Sequence, residues 1–288
     1  MKLYMDVGAT TIRCEVHRDN SIVHEKIVDE SFFHESFVSR EHELYALLIT
    51  LLKRYPDIRF IGIAYAGFIH HGRIISAPNM EVKVHDIKQK IEQEFDVRME
   101  IENDVNCAVL AEADDQASSD IVALYVGTGL GCGVVSDGRL LHGHASLAAE
   151  IGHIPYKRTP FHCGCGKDNC IELYASGSGM QKWKQYHDIK GQPDLLQLRQ
   201  SDNHIERDIA KMFEEALLSA AGTVLTLFNP EKLVLGGGII SANPYLLEIL
   251  REQIRAYALP EAAKSVSIVQ TRLKDAPLEG AKYLEEDL

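Results

Sequence analysis

The chain repeats itself, and that repeat limits the folds open to it. Residues 3–7 read as a strand that closes on Gly8-Ala9-Thr10-Thr11. Residues 12–17 follow as a second strand, Asp19-Asn20 as a turn, and residues 22–27 as a third strand. The same order returns at residues 121–126, with Gly127-Thr128-Gly129, a strand over 131–135, a turn at Asp137-Gly138 and Leu140-Leu141. The offset is about 119 residues in a chain of 288. Two β-meanders that each open on a Gly/Thr turn imply a duplicated domain with a cleft between the copies; two unrelated hairpins sharing a glycine turn are the plainer alternative.

Between and after the meanders, two periodicities alternate. Leu44, Leu47, Leu48, Leu51 and Leu52 form a helical stripe over 41–54, and Ile87, Ile91 and Phe95 another over 86–95. Residues 60–64 and 97–101 read as strands, and 105–112 as a helix. A long amphipathic helix over 206–227 stops at Asn229-Pro230. It is followed by a strand over 232–235, a helix over 245–257, a strand over 266–269 and a closing helix over 278–285. This alternation implies an α/β architecture.

Hydrophobic residues make up 45% of the chain, too many for a disordered polymer and enough for sizeable cores. No apolar run reaches the roughly 18 residues that a membrane helix needs. Asp6 interrupts what would be the apolar core of a signal peptide, so a cytoplasmic protein without a membrane partner is expected. The net charge is −12 and there is no cluster of Lys or Arg, which argues against nucleic acid as a partner. A phosphate ligand would then need backbone N–H groups or a metal.

Three glycine-bearing turns follow strands: Asp6 to Thr11, Gly127 to Gly131, and Gly236-Gly237-Gly238. Small residues let backbone N–H groups approach a phosphate chain, and an Asp in the first turn can hold Mg²⁺ through water. Taken singly, each turn also reads as ordinary hairpin punctuation. None fits a P-loop, and the first leads into a strand rather than the helix of a dinucleotide fingerprint.

Glu102-Asn103-Asp104-Val105-Asn106 stands where a strand meets a helix. Asn103 or Asp104 would serve there as an N-cap. Alternatively, Asp104 would accept a proton from a hydroxyl nucleophile, the one acid–base task of a phosphoryl transfer. Three of six cysteines crowd together at Cys163, Cys165 and Cys170, ten residues and more after His153. Three thiols and one imidazole make a closed tetrahedral zinc site, structural because no position is left open. Three cysteines do not pair evenly as disulfides, and Cys14, Cys107 and Cys132 read as buried apolar residues. The zinc would fix a loop bearing Glu150, His153 and Glu172.

These residues resemble the ROK family (repressor, open reading frame, kinase), most closely its bacterial glucokinase-like sugar kinases, over the whole chain. Asp6-Val7-Gly8-Ala9-Thr10 is similar to the family's first phosphate turn, Ala77-Pro78-Asn79 to its sugar-contacting Pro-Asn, and Glu102 to Asn106 to its catalytic motif. Ala149-Glu150-Ile151-Gly152-His153 with Cys163-x-Cys165-Gly166-x₃-Cys170-x-Glu172 is similar to its signature, Leu235 to Gly238 to its adenosine-side turn, and 276–281 to its C-terminal return. The resemblance implies an actin-like (ribonuclease H-like) duplicated fold. Residues 1–116 would form a smaller α/β domain with 277–288 packing back on it, and 117–276 a larger one with the zinc loop. It implies an ATP-dependent sugar kinase using Mg²⁺ and structural Zn²⁺, with Asp104 as the catalytic base. Asn79, Asn103, Asp104, Glu150, His153 and Glu172 would contact sugar hydroxyls. Asp6, Gly8, Thr10, Thr128, Gly129 and Gly237 would face the nucleotide, and His153 would be shared between zinc and sugar. A homodimer is left open.

Departures from the family pattern are Ala9, Ala66, Ser146, Ala148 and Asn169, where glycine or, at Ala66, proline is usual. Asn169 is a residue type that tolerates a left-handed backbone. None removes a group that the chemistry needs. Glucose is the first choice of sugar; mannose, fructose, allose, N-acetylglucosamine and N-acetylmannosamine stay open. Asp6 is the sixth residue, which leaves no expected helix-turn-helix before the phosphate turn. The remaining non-enzyme reading is a sugar-sensing regulator without a DNA-binding domain, and the presence of Asp104 argues against it. The zinc cluster and the Glu/His set argue against an acetate kinase-like phosphotransferase.

Overall fold

The computed structural model describes residues 1–8, 11–19, 21–28, 40–77, 85–191 and 193–286. The chain divides into two compact units. Unit 1 holds Met1–Asp115, His142–Ala148 and Leu273–Leu288; unit 2 holds Gln116–Leu141 and Ala149–Arg272.

Unit 1 begins with β1 (Lys2–Val7), β2 (Ile12–Arg18) and β3 (Ser21–Val28), followed by α1 (Arg40–Arg54), β4 (Phe60–Tyr65), the short hairpin β5 (Phe68–His70) and β6 (Arg73–Ser76), α2 (Ile87–Glu94), β7 (Arg98–Asn103) and α3 (Asp104–Asp115). Its main sheet has the order β3-β2-β1-β4-β7, antiparallel across β1–β2–β3 and parallel across β1–β4–β7. β4 is buried at all six positions, as a central parallel strand covered on both faces must be. Leu44, Leu48, Leu51 and Leu52 of α1 pack with Ile61 and Ile63 of β4 in one core.

Unit 2 runs β8 (Ile121–Val126), β9 (Leu130–Ser136), β10 (Arg139–Leu140), α4 (Gly177–Tyr186), α5 (Leu195–Gln200), α6 (His204–Phe228), β11 (Lys232–Gly236), α7 (Gly238–Ala242), α8 (Tyr245–Gln253), α9 (Pro260–Ser265) and β12 (Ser267–Gln270). Its sheet order, β10-β9-β8-β11-β12, copies that of unit 1 strand for strand, with the same pattern of antiparallel and parallel pairs. The repeat read in the sequence is thus a repeat of topology. The Asp137-Gly138 turn has both residues at positive φ, 51° and 71°, the geometry that joins a tight hairpin without untwisting it. α6 is stopped by Asn229 at φ 45°, whose N–H caps the Leu225 carbonyl. Its stripe of Ile209, Phe213, Ala216, Leu217, Ala220 and Val224 lies in the core of unit 2.

The chain then returns to unit 1 through α10 (Ala276–Gly280), which packs on α3. The expected closing helix over 278–285 is instead α-helical only to Gly280 and 3₁₀ over Ala281–Glu285. The tightening coincides with a close approach: a Cβ on Gly280 would stand 1.8 Å from the Cys107 carbonyl oxygen.

Candidate active site

In unit 1 the first phosphate turn follows β1. Gly8 N–H donates to the Thr11 carbonyl at 3.0 Å, closing the turn, and Ala66 N–H donates to the Val7 carbonyl. Thr10 and Asn79, both expected in the site, lie outside the described residues, as does Ala9. Asp6 is buried on β1, and its Oδ2 accepts from Arg13 Nη2 at 2.7 Å; the other arm of Arg13 reaches Asp275 Oδ2 at 3.0 Å. Burial, and then the Asp275 charge, push the Asp6 carboxyl up to about 6 against the pull of Arg13. Asp6 Oδ2 is therefore held by a guanidinium that also ties β2 to the segment at Asp275.

The β7–α3 junction is tightly tied. Asn103 Oδ1 accepts from Val105 N–H at 2.9 Å and Asn106 N–H at 3.1 Å, so the N-cap expected for Asn103 or Asp104 belongs to Asn103. Its Nδ2 donates to the Gly67 carbonyl at 3.0 Å, leaving one N–H of that amide for a ligand. Asp104 is the first residue of α3, half-buried, with Oδ1 accepting from Val105 N–H at 2.9 Å. A helix N-terminus favours the negative charge there.

Sequence reasoning missed two members of this junction. Glu102 is buried, with Oε1 accepting from Asn103 N–H at 2.7 Å and Asn106 Nδ2 at 2.9 Å. Its Oε2 lies 2.9 Å from His142 Nε2. Glu102 stood within the recognised motif, but its partner is 40 residues away and carries no local signal.

In unit 2 the Gly127-Thr128-Gly129 turn is held by the start of α4: Gly177 N–H donates to the Gly127 carbonyl and Ser178 N–H to the Thr128 carbonyl. Thr128 is exposed. Gly237 has φ 93°, and a Cβ there would lie 2.4 Å from the Val126 carbonyl oxygen, so the β11–α7 turn requires glycine.

The zinc ligands read from the sequence converge. His153 Nδ1 is 3.6 Å from Cys163 Sγ, and Cys165 Sγ is 3.3 Å from Cys170 Sγ. The four ligand atoms all lie within 4.8 Å of one another. Tetrahedral zinc with sulfur at 2.3 Å and nitrogen near 2.1 Å needs ligand spacings of about 3.5–3.8 Å, which this set would reach with shifts of about 1 Å or less, and three thiols with one imidazole are donors that suit the ion. Burial pushes the Cys163 thiol up to about 12, so a cation is what would hold it as a thiolate at neutral pH. The left-handed residue of this loop is Gly166 at φ 88°, and Asn169 does not take that role.

Glu150, His153 and Glu172 are carried beside this cluster. His153 Nε2 is 4.0 Å from Glu150 Oε2, too long for a hydrogen bond but on the ring edge opposite the thiols. Glu150 is raised by burial, lowered by the His153 ring and raised again by the Glu172 charge. Glu172 Oε2 accepts from Leu130 N–H at 3.1 Å and Oε1 lies 3.4 Å from Cys163 Sγ. Glu172 therefore links the Thr128-Gly129 turn to the thiol cluster. Ser146 and Ala149 hold φ of 54° and 62°, a conformation glycine would adopt without strain.

Similarity to known proteins follows the same lines. A glucokinase of Halalkalibacterium halodurans is 31% identical, matching 81% of this chain and 77% of its own length. An N-acetyl-D-glucosamine kinase of Haemophilus influenzae is 26% identical over 90% of each chain. The crystal structure of a ROK family glucokinase from Streptomyces griseus in complex with glucose and AMPPNP superposes with a TM-score of 0.75 at 24% identity, covering 98% of both chains. The fold is the actin-like, duplicated α/β fold that the family resemblance implies. The sequence model of the ROK family matches residues 3–287, and the chain belongs to that family.

Proposed function

We propose that this chain is an ATP-dependent sugar kinase that phosphorylates the primary hydroxyl of a hexose, with glucose as the first substrate. The observation that carries the reading is Asp104, a carboxylate set at the first turn of α3 by the Asn103 cap. The hydroxyl oxygen attacks the γ-phosphorus as its proton passes to Asp104. The new O–P bond forms while the bond from γ-phosphorus to the β–γ bridging oxygen breaks, and ADP leaves. The Gly8, Thr128-Gly129 and Gly237 turns offer the close backbone approach that phosphates require. Nucleotide use is supported by the ATP analogue in the Streptomyces griseus glucokinase. When bound, zinc on His153 Nδ1 would fix the tautomer and leave Nε2–H to donate. His153, Glu150, Glu172 and the remaining amide N–H of Asn103 would then read the other ring hydroxyls. The second reading is an N-acetylhexosamine kinase, favoured by the Haemophilus influenzae relative.

The test is ADP release and sugar-phosphate formation with ATP across glucose, mannose, fructose, allose, N-acetylglucosamine and N-acetylmannosamine. Asp104→Asn, which keeps the shape and loses the basicity, should lower kcat by about 10²–10⁴-fold. Wild-type protein that turns over ATP with none of these sugars would sink the kinase reading. A near-normal kcat in Asp104→Asn would remove Asp104 as its base.

A further inference from the structure

We propose that His142 is a positioning residue for Asp104, acting through Glu102; the proposal rests on the kinase reading above. Glu102 is 8% exposed, and a carboxylate that deep needs donors on both oxygens. Oε1 is committed to Asn103 N–H and Asn106 Nδ2, the start of α3. Oε2 has His142 Nε2 at 2.9 Å. The hydrogen bond to Glu102 raises His142 above the usual histidine range, burial opposes the rise and the Glu102 charge adds to it.

His142 opens the segment His142–Ala148, which leaves the strands of unit 2 to pack in unit 1. A second contact holds the same segment: Ser146 Oγ lies 3.1 Å from His70 Nδ1 at the end of β5. β5 follows Gly67, whose carbonyl takes Asn103 Nδ2. Polar contacts and short stretches of backbone therefore close a ring: Asn103 bonds Gly67, the chain runs on to His70, His70 meets Ser146, the chain leads back to His142, and His142 returns through Glu102 to Asn103. Asn103 is the cap that sets the first residue of α3, and that residue is Asp104. Removing His142 leaves a buried carboxylate oxygen without its donor and opens the ring on the side where Glu102 holds the Asn103 backbone. Misplacement of a reacting group by about 1 Å from outside the chemistry is enough to cost up to about 100-fold in rate.

The experiment compares His142→Leu, which removes the donor, with His142→Gln, whose amide N–H can reach the same oxygen. Steady-state kinetics with the best sugar and ATP, thermal unfolding, and hydrogen exchange of the amides of 103–106 are measured on each. His142→Leu should lose about 10- to 100-fold in kcat with KM for ATP unchanged, and exchange faster at 103–106. His142→Gln should recover most of both. Unchanged kcat and exchange in a folded His142→Leu would overturn the proposal, as would equal losses in His142→Gln, or altered exchange with normal kcat. If wild-type protein shows no sugar-dependent turnover, the kinase reading fails on its own. The exchange arm then decides the tie between His142 and the α3 cap, and unchanged exchange overturns it.

Discussion

Asp6 shows how one buried side chain sets a pH response. Its unfolded value is near 3.9 and its folded value about 6, so between about pH 4 and 6 the folded state holds a proton that the unfolded state has lost. Stability contributed by this group therefore falls as pH rises through that window, and the full cost, on the order of 3 kcal/mol, is present above it. Asp6→Asn should gain stability relative to wild type as pH rises from 4 to 7, whatever constant offset comes from losing the Arg13 contact. Melting temperatures of both proteins at pH 4, 5, 6 and 7 check this, and parallel curves would refute it. Asp6 itself was legible in the sequence as the acid of a strand-to-turn motif. Its pairing was not, because Arg13 reaches it only after β1 and β2 have paired with Asp6 opposite Arg13.

Among the elements, the zinc loop is the one most exposed to a single substitution. The segment from Ile151 to Leu173 contains two 3₁₀ turns and one isolated bridge, Pro155 to Cys170, so little regular structure holds it. A metal held by His153, Cys163, Cys165 and Cys170 would supply the missing cross-link. Untagged protein should contain one zinc per chain by elemental analysis. Cys170→Ser, at a fully buried ligand, should lower stability by roughly 3–5 kcal/mol and speed hydrogen exchange across 153–172. Metal-free protein of unchanged stability would rule the site out. The Cys/His cluster was readable because its four members lie close in sequence. The long stripe of α6 and the paired meanders were readable because their periods run over many residues. The β5–β6 hairpin was not, since three- and four-residue strands around His71-Gly72 show no alternation to count. Nor was the return of His142–Ala148 to unit 1, which depends on Glu102 and His70, far away along the chain.

At the scale of the whole molecule, the duplication leaves two hydrophobic cores among the described residues, one in each unit. The first contains Leu48 and the second Leu217, both essentially without solvent exposure. Leu48→Ala and Leu217→Ala should each cost about 2–5 kcal/mol. Native-state hydrogen exchange should place the first loss in the strands of unit 1 and the second in those of unit 2. Equal acceleration in both units from either substitution would contradict separate cores. The backbone contact between Gly280 and Cys107 adds an order in time. Unit 1 needs residues 273–286, and the ribosome makes these only after the whole of unit 2. Throughout synthesis α3 waits with one face uncovered, Asp104 already made at its tip. The strip that covers it arrives late and must slide in at van der Waals distance, where glycine alone fits. A side chain at 280 would therefore act as a failure of completion, leaving a nascent protein whose second half is finished while one face of α3 in its first half stays uncovered.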